Sequence, residues 1–418
     1  MTEFQAPRGT HDILPSQFSL WERVTRTAEE VCALYGYRPI LTPGFEDTDL
    51  FVRTSGAGSD IVRKEMYTFE DQGGRSLTLR PEGTAPICRA YLEHALDREG
   101  LPQKLYTIAP MYRYDKPQKG RYREHRQLSV EAIGSADPAL DAELIQLYNE
   151  LLGRLGIGAY RIELNSIGDR NCRPAYLEGL RVFLAAHDEE LDADTRTKAA
   201  TSPLRVFDTK NPRVAEVLAA APRIGESLCD SCAQHFADVR RYLDAYGVEY
   251  ALAPTLVRGL DYYTRTTFEF TSSDLGAQDA LVGGGRYDYL VEELGGPPTP
   301  ALGFGAGIER LLLSIEASQE AVHPQVDVFF IVAEAAIRPA VLAQMAKLRR
   351  NGVSCETDYA FRSRKGQLTH ASRLSNEWWV EARANGALIR RRGEGEQTTW
   401  PPVPVDEIAE HLMARLAE

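Results

Sequence analysis

The stretch "YRYDKPQKGRYREHRQLSVE", residues 112–131, contains six Lys and Arg residues against three Asp and Glu residues. Its central "PQKG" favours a turn, and the segments on either side predict two strands that form a hairpin. Such a hairpin would direct Arg113 and Arg121 toward one ligand, and cations interleaved with tyrosines can bind phosphate groups. A solvated hairpin that carries surface Arg and Lys is the alternative interpretation of this stretch.

The basic character of this stretch contrasts with the whole chain, which has 418 residues and a formal net charge of −12. An acidic chain argues against nucleic-acid binding by the entire surface, but it leaves room for a local basic face. Hydrophobic residues make up 43% and charged residues 26% of the chain, as in globular proteins. No apolar run reaches the length of a membrane span. The length predicts two or three domains.

The N-terminus and the cysteines indicate the compartment. "MTEFQAPRGTHD" lacks a basic patch followed by an apolar core, so it does not have the pattern of a signal peptide. The six cysteines are thinly scattered, which suits free thiols in a reducing compartment. We therefore expect a cytoplasmic protein.

Two regions differ in pattern from the rest. Residues from about 170 to 250 are mostly helical and polar, and this segment could be an insertion between parts of one sheet domain. From residue 323 to 418, strand patterns alternate with helical ones, which predicts a separate α/β domain. The sequence therefore predicts one domain over 1–322 and a second over 323–418.

A second motif, "LTLRPEGTAPICRAYLEH", covers residues 77–94. Glu82 and Thr84 could present a hydrogen-bond acceptor and a hydroxyl to a polar ligand. The alternative is a helix N-terminus, with Thr84 as the cap and Pro86 in the first turn.

A third motif, "VRGLDYYTRTTFEF", begins at Val257 and reads as a strand. An arginine beside paired tyrosines could bind an anion and hydrogen-bond a heteroaromatic ring, which points to Arg258, Tyr262 and Tyr263. Ordinary β-propensity explains the tyrosines and threonines, but it does not explain Arg258 or Asp261.

A fourth motif, "GFGAGIERLLL" (303–313), predicts a glycine-rich strand that leads into a helix near Arg310. Its glycines allow close approach of the backbone. The spacing superficially resembles a dinucleotide-binding loop, but such a pattern is weak without a surrounding βαβ unit. A strand-to-helix junction beside a nucleotide is the better interpretation.

A fifth motif, "CDSCAQH", contains Cys229, Cys232 and His235. A structural zinc site needs four ligands, and no second pair is found at the usual spacing. Chance cysteines on a helical surface are therefore favoured over a metal site, and the sequence predicts no bound metal.

The last third of the chain has a basic segment between residues 362 and 392, which includes Arg362, Arg364 and Lys365. Such a patch suits RNA binding, because its cations could bind phosphates and the nearby Trp378 and Trp379 could stack on unpaired bases. A solvated charged face is the alternative.

In this order, the motifs resemble the histidyl-tRNA synthetases, which are dimeric class II aminoacyl-tRNA synthetases. The resemblance runs from "PRGTHDILP" (7–15) to the α/β tail, and "RGLDYY" is its most specific part. It implies an α+β catalytic domain with a mixed, mostly antiparallel sheet, a helical insertion, and a C-terminal α/β anticodon-binding domain.

The resemblance also implies the residues of the active site. Histidine would be bound by Glu82, Thr84, Arg113, Gln127, Glu131, Arg258, Tyr262 and Tyr263. ATP would be bound by Arg113, Arg121, His125 and Arg310, and Arg113 and Arg258 would be the catalytic residues. Glu82 and Thr84 would take the α-amino group of histidine, and Glu131 would lie toward the imidazole.

This chain departs from the family in the hairpin. Asp115 stands where the family usually has Glu, and His125-Arg126 stand where it usually has Phe-His. The usual Phe stacks on adenine, and His125 can do so with less area.

The activity implied is ligation of histidine to tRNA(His) by a homodimer, with ATP as substrate and Mg²⁺ bound to it. The runner-up is a non-catalytic paralogue that acts as a regulatory subunit of ATP phosphoribosyltransferase. Those relatives typically lack the C-terminal domain and "RGLDYY"-type residues, and both are present here.

Overall fold

The computed structural model describes residues 4–56, 59, 61–209, 211–272, 280–315, 325–392 and 401–416. The chain forms two compact units. The first comprises Met1–Asp12 and Leu20–Ala317, and the second comprises Ile13–Ser19 and Ser318–Glu418. The predicted boundary between residues 322 and 323 lies outside the described residues.

The strands of the first unit range in length from two residues to ten residues. They are β1 (Arg38–Pro39), β2 (Phe45–Asp47), β3 (Tyr67–Glu70), β4 (Ser76–Leu79), β5 (Gln103–Tyr112), β6 (Glu124–Ile133), β7 (Arg161–Ser166), β8 (Ala251–Leu252), β9 (Thr264–Thr271), β10 (Ala280–Arg286) and β11 (Ala301–Gly307). Eight of them form one sheet in the order β1-β5-β6-β11-β10-β9-β7-β8, and β2-β4-β3 form a small antiparallel sheet.

The main sheet is mixed and mostly antiparallel, as predicted. Within the described residues, only the two outer pairs, β1–β5 and β7–β8, run parallel. The five inner pairs are antiparallel.

The described helices before residue 316 include four that lie in the segment between β7 and β8. The helices are α1 (Pro15–Leu34), α2 (Thr48–Ser55), α3 (Thr84–Glu93), α4 (Pro138–Leu155), α5 (Arg173–Ala186), α6 (Ala193–Thr201), α7 (Pro212–Ala219), α8 (Asp230–Tyr246), α9 (Leu290–Glu293) and α10 (Ile308–Ser314). Helices α5 to α8 thus occupy the stretch where the sequence predicts a helical insertion. Tyr176, Leu180, Val206 and Leu218 belong to a hydrophobic core of that segment.

The hairpin formed by β5 and β6 contains the stretch at residues 112–131. The two strands pair from Gln103↔Ile133 to Tyr112↔Glu124, and Gln118 bridges to Arg121 in the connecting turn. Because side chains alternate between the faces of a strand, residues 125, 127, 129 and 131 share one face.

The opposite face of the main sheet packs on α4. Leu128 and Val130 of β6 are completely buried there, in alternation with the polar residues. Tyr148 of α4 contacts the rings of Phe270 and Phe304 at centroid distances of 4.9 and 5.2 Å. The apolar core thus supports the sheet from behind and leaves its other face to the polar side chains.

The second unit contains β12 (Gln325–Val332), β13 (Cys355–Thr357), β14 (Ser375–Arg383) and β15 (Gly386–Arg391), with helices α11 (Arg338–Arg350), α12 (Arg364–Ser372) and α13 (Ile408–Leu416). The sheet order is β13-β12-β14-β15, and only β15 runs antiparallel to its neighbour among the described strands. Strands therefore alternate with helices in this unit. In the described part of the chain, no helix has the length and apolarity to cross a membrane.

Candidate active site

A cavity of about 410 Å³ lies on the polar face of the main sheet. Of the residues predicted to bind histidine or ATP, it is lined by Glu82, Thr84, Arg113, Arg121, His125, Gln127, Arg258, Tyr262, Tyr263 and Arg310. Glu131 is completely buried and joins this set through the hydroxyl of Thr84. The tertiary structure thus brings together residues that are up to 228 positions apart (Glu82 to Arg310) in the sequence.

Glu82 and Thr84 lie at the start of α3. Glu82 accepts hydrogen bonds from the backbone N–H groups of Thr84, at 2.6 Å, and Ala85, at 2.9 Å. The N-cap position is Gly83, so the interpretation of Thr84 as the capping side chain is wrong. The Thr84 hydroxyl instead donates to Glu131 Oε1 at 2.7 Å. Burial raises the pKa of Glu82, although the two amide donors oppose this shift.

Glu131 is held between two hydroxyl groups. Oε1 accepts from Thr84, and Oε2 accepts from the hydroxyl of Tyr287. Burial raises the pKa of Glu131 well above its ordinary value, and the charge of nearby Glu82 adds to the shift. Tyr287 is not among the predicted site residues, because a single tyrosine after a glycine run has no distinctive pattern.

The glycines of β10 and β11 make room for charged side chains. Gly303 pairs with Glu131 across the sheet, and a Cβ atom at Gly303 would lie 1.7 Å from Glu131 Oε2. A Cβ atom at Gly283 would lie 1.7 Å from Arg258 Nη2. Side chains larger than hydrogen at these positions would occupy the space of Glu131 and Arg258. The glycine pattern therefore serves the site by leaving space for neighbouring side chains.

Arg258 forms an ion pair with Glu269 of β9, with 2.6 Å between Nη1 and Oε1. Burial alone would lower the pKa of Arg258, but attraction to Glu269 outweighs it and the pKa lies above its ordinary value. The Nε of Arg258 is buried and has no hydrogen-bond partner within the described residues. Glu269 also lines the cavity and is a site residue that the sequence analysis missed, although it lies in the "RTTFEF" part of the motif.

Arg113 and Arg121 occupy the hairpin side of the cavity. Arg113 Nε donates to the carbonyl oxygen of Pro81 at 2.7 Å, which fixes the guanidinium beside α3. Arg121 Nε lies 2.5 Å from Asp115 Oδ2. Asp115 departs from the family's usual Glu, and the shorter side chain still reaches Arg121.

His125 and Arg310 lie on the same side of the cavity. Burial lowers the pKa of His125 to about 3, and the charges of Arg113 and Arg310 contribute to the shift. His125 is therefore neutral near pH 7, and a neutral imidazole can stack on a purine without adding charge. Arg310, in the first turn of α10, donates from Nε to the carbonyl oxygen of Gly120 at 3.1 Å. This bond connects α10 to the turn of the hairpin.

Tyr262 and Tyr263 lie on the loop before β9, which begins at Thr264. The prediction that the strand begins with the "VRGLDYY" residues is therefore wrong. The two rings are tilted with centroids 4.7 Å apart, and the ring of Tyr287 lies 5.6 Å from Tyr262. Arg173 of α5 donates from Nη2 to the carbonyl oxygen of Tyr263 at 2.6 Å, so the helical segment fixes this loop.

Glu309 borders the cavity at the start of α10, where its Oε1 accepts from the backbone N–H of Arg126 at 2.8 Å. Burial raises the pKa of Glu309 to about 7. The pKa of Glu309 is higher in the folded chain than in the unfolded chain, so the protonated carboxyl stabilises the folded state at acidic pH. This stabilisation is lost as pH rises through about 7.

The Glu309→Gln variant should remove this pH dependence, because an amide does not titrate. We expect the free energy of unfolding of the variant, relative to the wild type, to increase by about 2 kcal/mol between about pH 5 and about pH 8. Urea unfolding followed by circular dichroism measures the difference, and Glu216→Gln, at an exposed position of α7, is the control. A constant difference across this range would contradict the assignment.

The predicted RNA-binding residues of the second unit are engaged in ion pairs, except for Lys365, which is exposed. Arg362 Nε lies 2.8 Å from Asp358, and Arg364 contacts both carboxylate oxygens of Glu381 at 2.8 Å. The pKa of Glu381 falls to about 2 because Arg364 and a second arginine donate to it. Part of the positive charge is therefore neutralised within the unit.

Trp378 is part of the hydrophobic core of the second unit and is only 4% exposed. The proposed stacking of Trp378 on unpaired bases is therefore wrong. The ring fills the space between β14 and the helices, and its contact with Arg391, at 5.4 Å, comes from the neighbouring strand.

Comparison with known proteins agrees with this arrangement. A family model described as histidyl-tRNA synthetase matches residues 9–311. The histidine–tRNA ligase of Moorella thermoacetica is 48% identical over 402 residues, which cover 94% of this chain and 95% of that relative. The crystal structure of apo histidyl-tRNA synthetase from S. aureus has a TM-score of 0.81 and 33% identity, covering 98% of this chain and 99% of the other.

A further solved structure carries both names that the sequence suggests. It is described as an ATP phosphoribosyltransferase regulatory subunit/histidyl-tRNA synthetase from Bacillus halodurans, with a TM-score of 0.66 and 25% identity over 92% of this chain and 100% of the other. Both the predicted class II synthetase-like fold and the family resemblance are confirmed by the matches. The chain belongs to the histidyl-tRNA synthetase family.

Proposed function

We propose that this protein is a histidine–tRNA ligase. It activates L-histidine with ATP to form histidyl-adenylate and then transfers the histidyl group to the 3′ end of tRNA(His), with release of pyrophosphate and AMP. The observation that carries the proposal is one cavity with two chemically different ends. Buried Glu131 and its hydroxyl partners form a polar end, while Arg113, Arg121 and Arg310 form a cationic end.

The cationic end suits the first step. The carboxylate of histidine attacks the α-phosphorus of ATP, an oxygen–phosphorus bond forms, and the bond to pyrophosphate breaks. Both reactants are anions, so fixed positive charge between them lowers the barrier. Arg113 and Arg258 both line the cavity and would hold the two reactants in line. Mg²⁺ enters with ATP as part of the nucleotide substrate.

The polar end suits the side chain of histidine. Glu131 can accept a hydrogen bond from one imidazole nitrogen, and the hydroxyl of Tyr262 or Tyr263, which both line the cavity, would hydrogen-bond the other. A substrate without these groups would leave buried partners unpaired, which costs roughly 10⁴–10⁵ in discrimination. Glu82 beside Thr84 is then available for the α-amino group.

The purine of ATP fits between His125 and Arg310. The burial that lowers the pKa of His125 keeps the ring uncharged, so its face stacks while Arg310 supplies the positive charge. Arg121 is paired with Asp115 in the structure and would exchange this partner for phosphate when ATP binds.

The second unit is proposed to contact the anticodon part of tRNA(His), with the domain running over 323–418. Lys365 is exposed, and Arg362 and Arg364 keep exposed side chains despite their ion pairs. A homodimer in the cytoplasm, where tRNA is charged, completes the proposal and is supported by the family.

Histidine-dependent exchange of labelled pyrophosphate into ATP tests the first step without tRNA. We expect exchange that requires both histidine and the purified full chain. If histidine binds by calorimetry but exchange is absent, the ligase proposal fails and the regulatory paralogue of ATP phosphoribosyltransferase is favoured. Charging of tRNA(His) with labelled histidine then tests the transfer step.

A further inference from the structure

A cluster of four potential metal ligands lies away from the cavity, where the helical segment leaves β7. It comprises Asp169, Cys172, Cys229 and Cys232, whose ligand atoms all lie within 4.8 Å of one another. Asp169, Cys172 and Cys232 are buried, and Cys229 is partly exposed. Two residues come from the turn after β7, and two come from the start of α8.

The separations fit a single small ion. Asp169 Oδ1 lies 3.6 Å from the sulfur of Cys172 and 4.0 Å from that of Cys229. A tetrahedral zinc site with a zinc–oxygen bond of about 2.0–2.2 Å and zinc–sulfur bonds of about 2.3 Å places the oxygen about 3.6 Å from each sulfur. An iron–sulfur cluster would need its cysteines farther apart. The four ligands leave no open position, which is typical of structural zinc sites.

The backbone around the cluster favours bound thiolates. Cys172 is the N-cap residue of α5, and Cys229 is the N-cap residue of α8. Positive partial charge at a helix N-terminus stabilises a nearby thiolate. Cys232 lies in the first turn of α8, so two helix starts point their ligand atoms at one place.

A second layer of contacts orients the carboxylate. Asp169 Oδ2 lies 3.4 Å from Nη2 of Arg265, and the backbone N–H of Asn171 donates to Oδ1 at 2.9 Å. Partners of this kind fix the ligands of metal sites and raise their affinity. Gly168 contributes by its lack of a side chain, because a Cβ atom there would lie 2.6 Å from the sulfur of Cys172.

This set is hidden in the sequence, because the usual zinc motif has two pairs of cysteines. Asp169 and Cys172 have the same spacing of three as Cys229 and Cys232, but one of them is a carboxylate. His235, grouped with the cysteines in the sequence, contacts Asp141 at 3.3 Å instead. The prediction of chance cysteines on a helical surface is therefore wrong about their placement.

We propose that Asp169, Cys172, Cys229 and Cys232 bind one structural Zn²⁺ ion. The ion joins the turn after β7 to the starts of α5 and α8, and it closes the helical segment at its base. Arg173, the next residue after Cys172, donates to the carbonyl of Tyr263, so the ion also supports the loop that borders the cavity.

Metal analysis of the full chain, purified with a thiol reductant from zinc-supplemented cells, tests the site. We expect about one zinc per chain by mass spectrometry. After removal of zinc by a chelator, added Co²⁺ should produce the thiolate charge-transfer band and the intense visible bands of a tetrahedral site. The melting temperature should fall on zinc removal and recover on its return.

Variants assign the ligands. Cys229→Ser/Cys232→Ser should lose the metal, and Arg265→Ala should weaken zinc binding by roughly 10-fold because the orientation of Asp169 is lost while all four ligands remain. Cys355→Ser, a buried cysteine of the second unit, should keep one zinc. The cobalt spectrum of the wild type does not depend on whether a variant folds.

Three results would overturn the zinc site. They are a wild-type chain that takes up neither zinc nor cobalt, a chain that contains iron and sulfide, and a Cys229–Cys232 disulfide in protein alkylated directly in the lysate.

Discussion

Replacing Arg258 by alanine should slow the formation of histidyl-adenylate by about 10³-fold, because a fixed cation beside the reacting phosphate contributes this much to similar reactions. Pre-steady-state measurement of adenylate formation, at saturating ATP and histidine, gives the rate. The side chain is partly buried beside Glu269 and lines the cavity. Arg258→Ala should therefore lower the rate of adenylate formation more than it lowers the affinity for histidine.

The ion pair between Arg258 and Glu269 means that Arg258→Ala can also lower the stability of the fold. Alanine at 258 leaves the partly buried carboxylate of Glu269 without its partner, which is itself destabilising. The double variant Arg258→Ala/Glu269→Gln removes both charges and separates the two effects. If it recovers the melting temperature but stays slow, Arg258 acts in the reaction. Recovery of the rate together with stability would show that Arg258 serves only to neutralise Glu269.

Replacing Glu131 by glutamine should lower kcat/KM for histidine by about 10²-fold, since a hydrogen bond to a charged or strongly polar buried group contributes about 1.5–3 kcal/mol. The amide has the same shape as the carboxyl, so Thr84 and Tyr287 keep a partner and the fold should persist. It cannot, however, accept from the imidazole and from both hydroxyls at once. KM for ATP should change little.

Steady-state exchange kinetics with varied histidine and varied ATP measure this difference. Tyr287→Phe is the matched control, because it removes one donor to Glu131 while it leaves the carboxyl in place. It should cost less than the change at Glu131. An equal loss for ATP and histidine would place Glu131 in a structural role and exclude it from recognition of the imidazole.

Much of the fold was accessible from the sequence because local patterns carry it. The hairpin at 112–131 follows from a Pro–Gly turn between two strand patterns, and the helical stretch from about 170 to 250 follows from composition. The strand predicted to begin at Val257 begins only at Thr264, since aromatic residues favour strands and also line loops. The N-cap of α3 was predicted at Thr84 but lies at Gly83. The carboxylate of Glu82 accepts from the backbone N–H of Thr84, two residues later, and the sequence pattern does not reveal this contact.

By itself, the sequence determined which residue types are present, in which order, and hence the family and the candidate site residues. Only the tertiary structure decided which of them meet. Glu269 and Tyr287 became site residues because β9 and β10 bring them against Arg258 and Glu131. Asp169 became a candidate metal ligand because the turn after β7 folds against the start of α8. Such contacts join positions far apart in the chain, and their energies depend on burial and geometry, which no local pattern encodes.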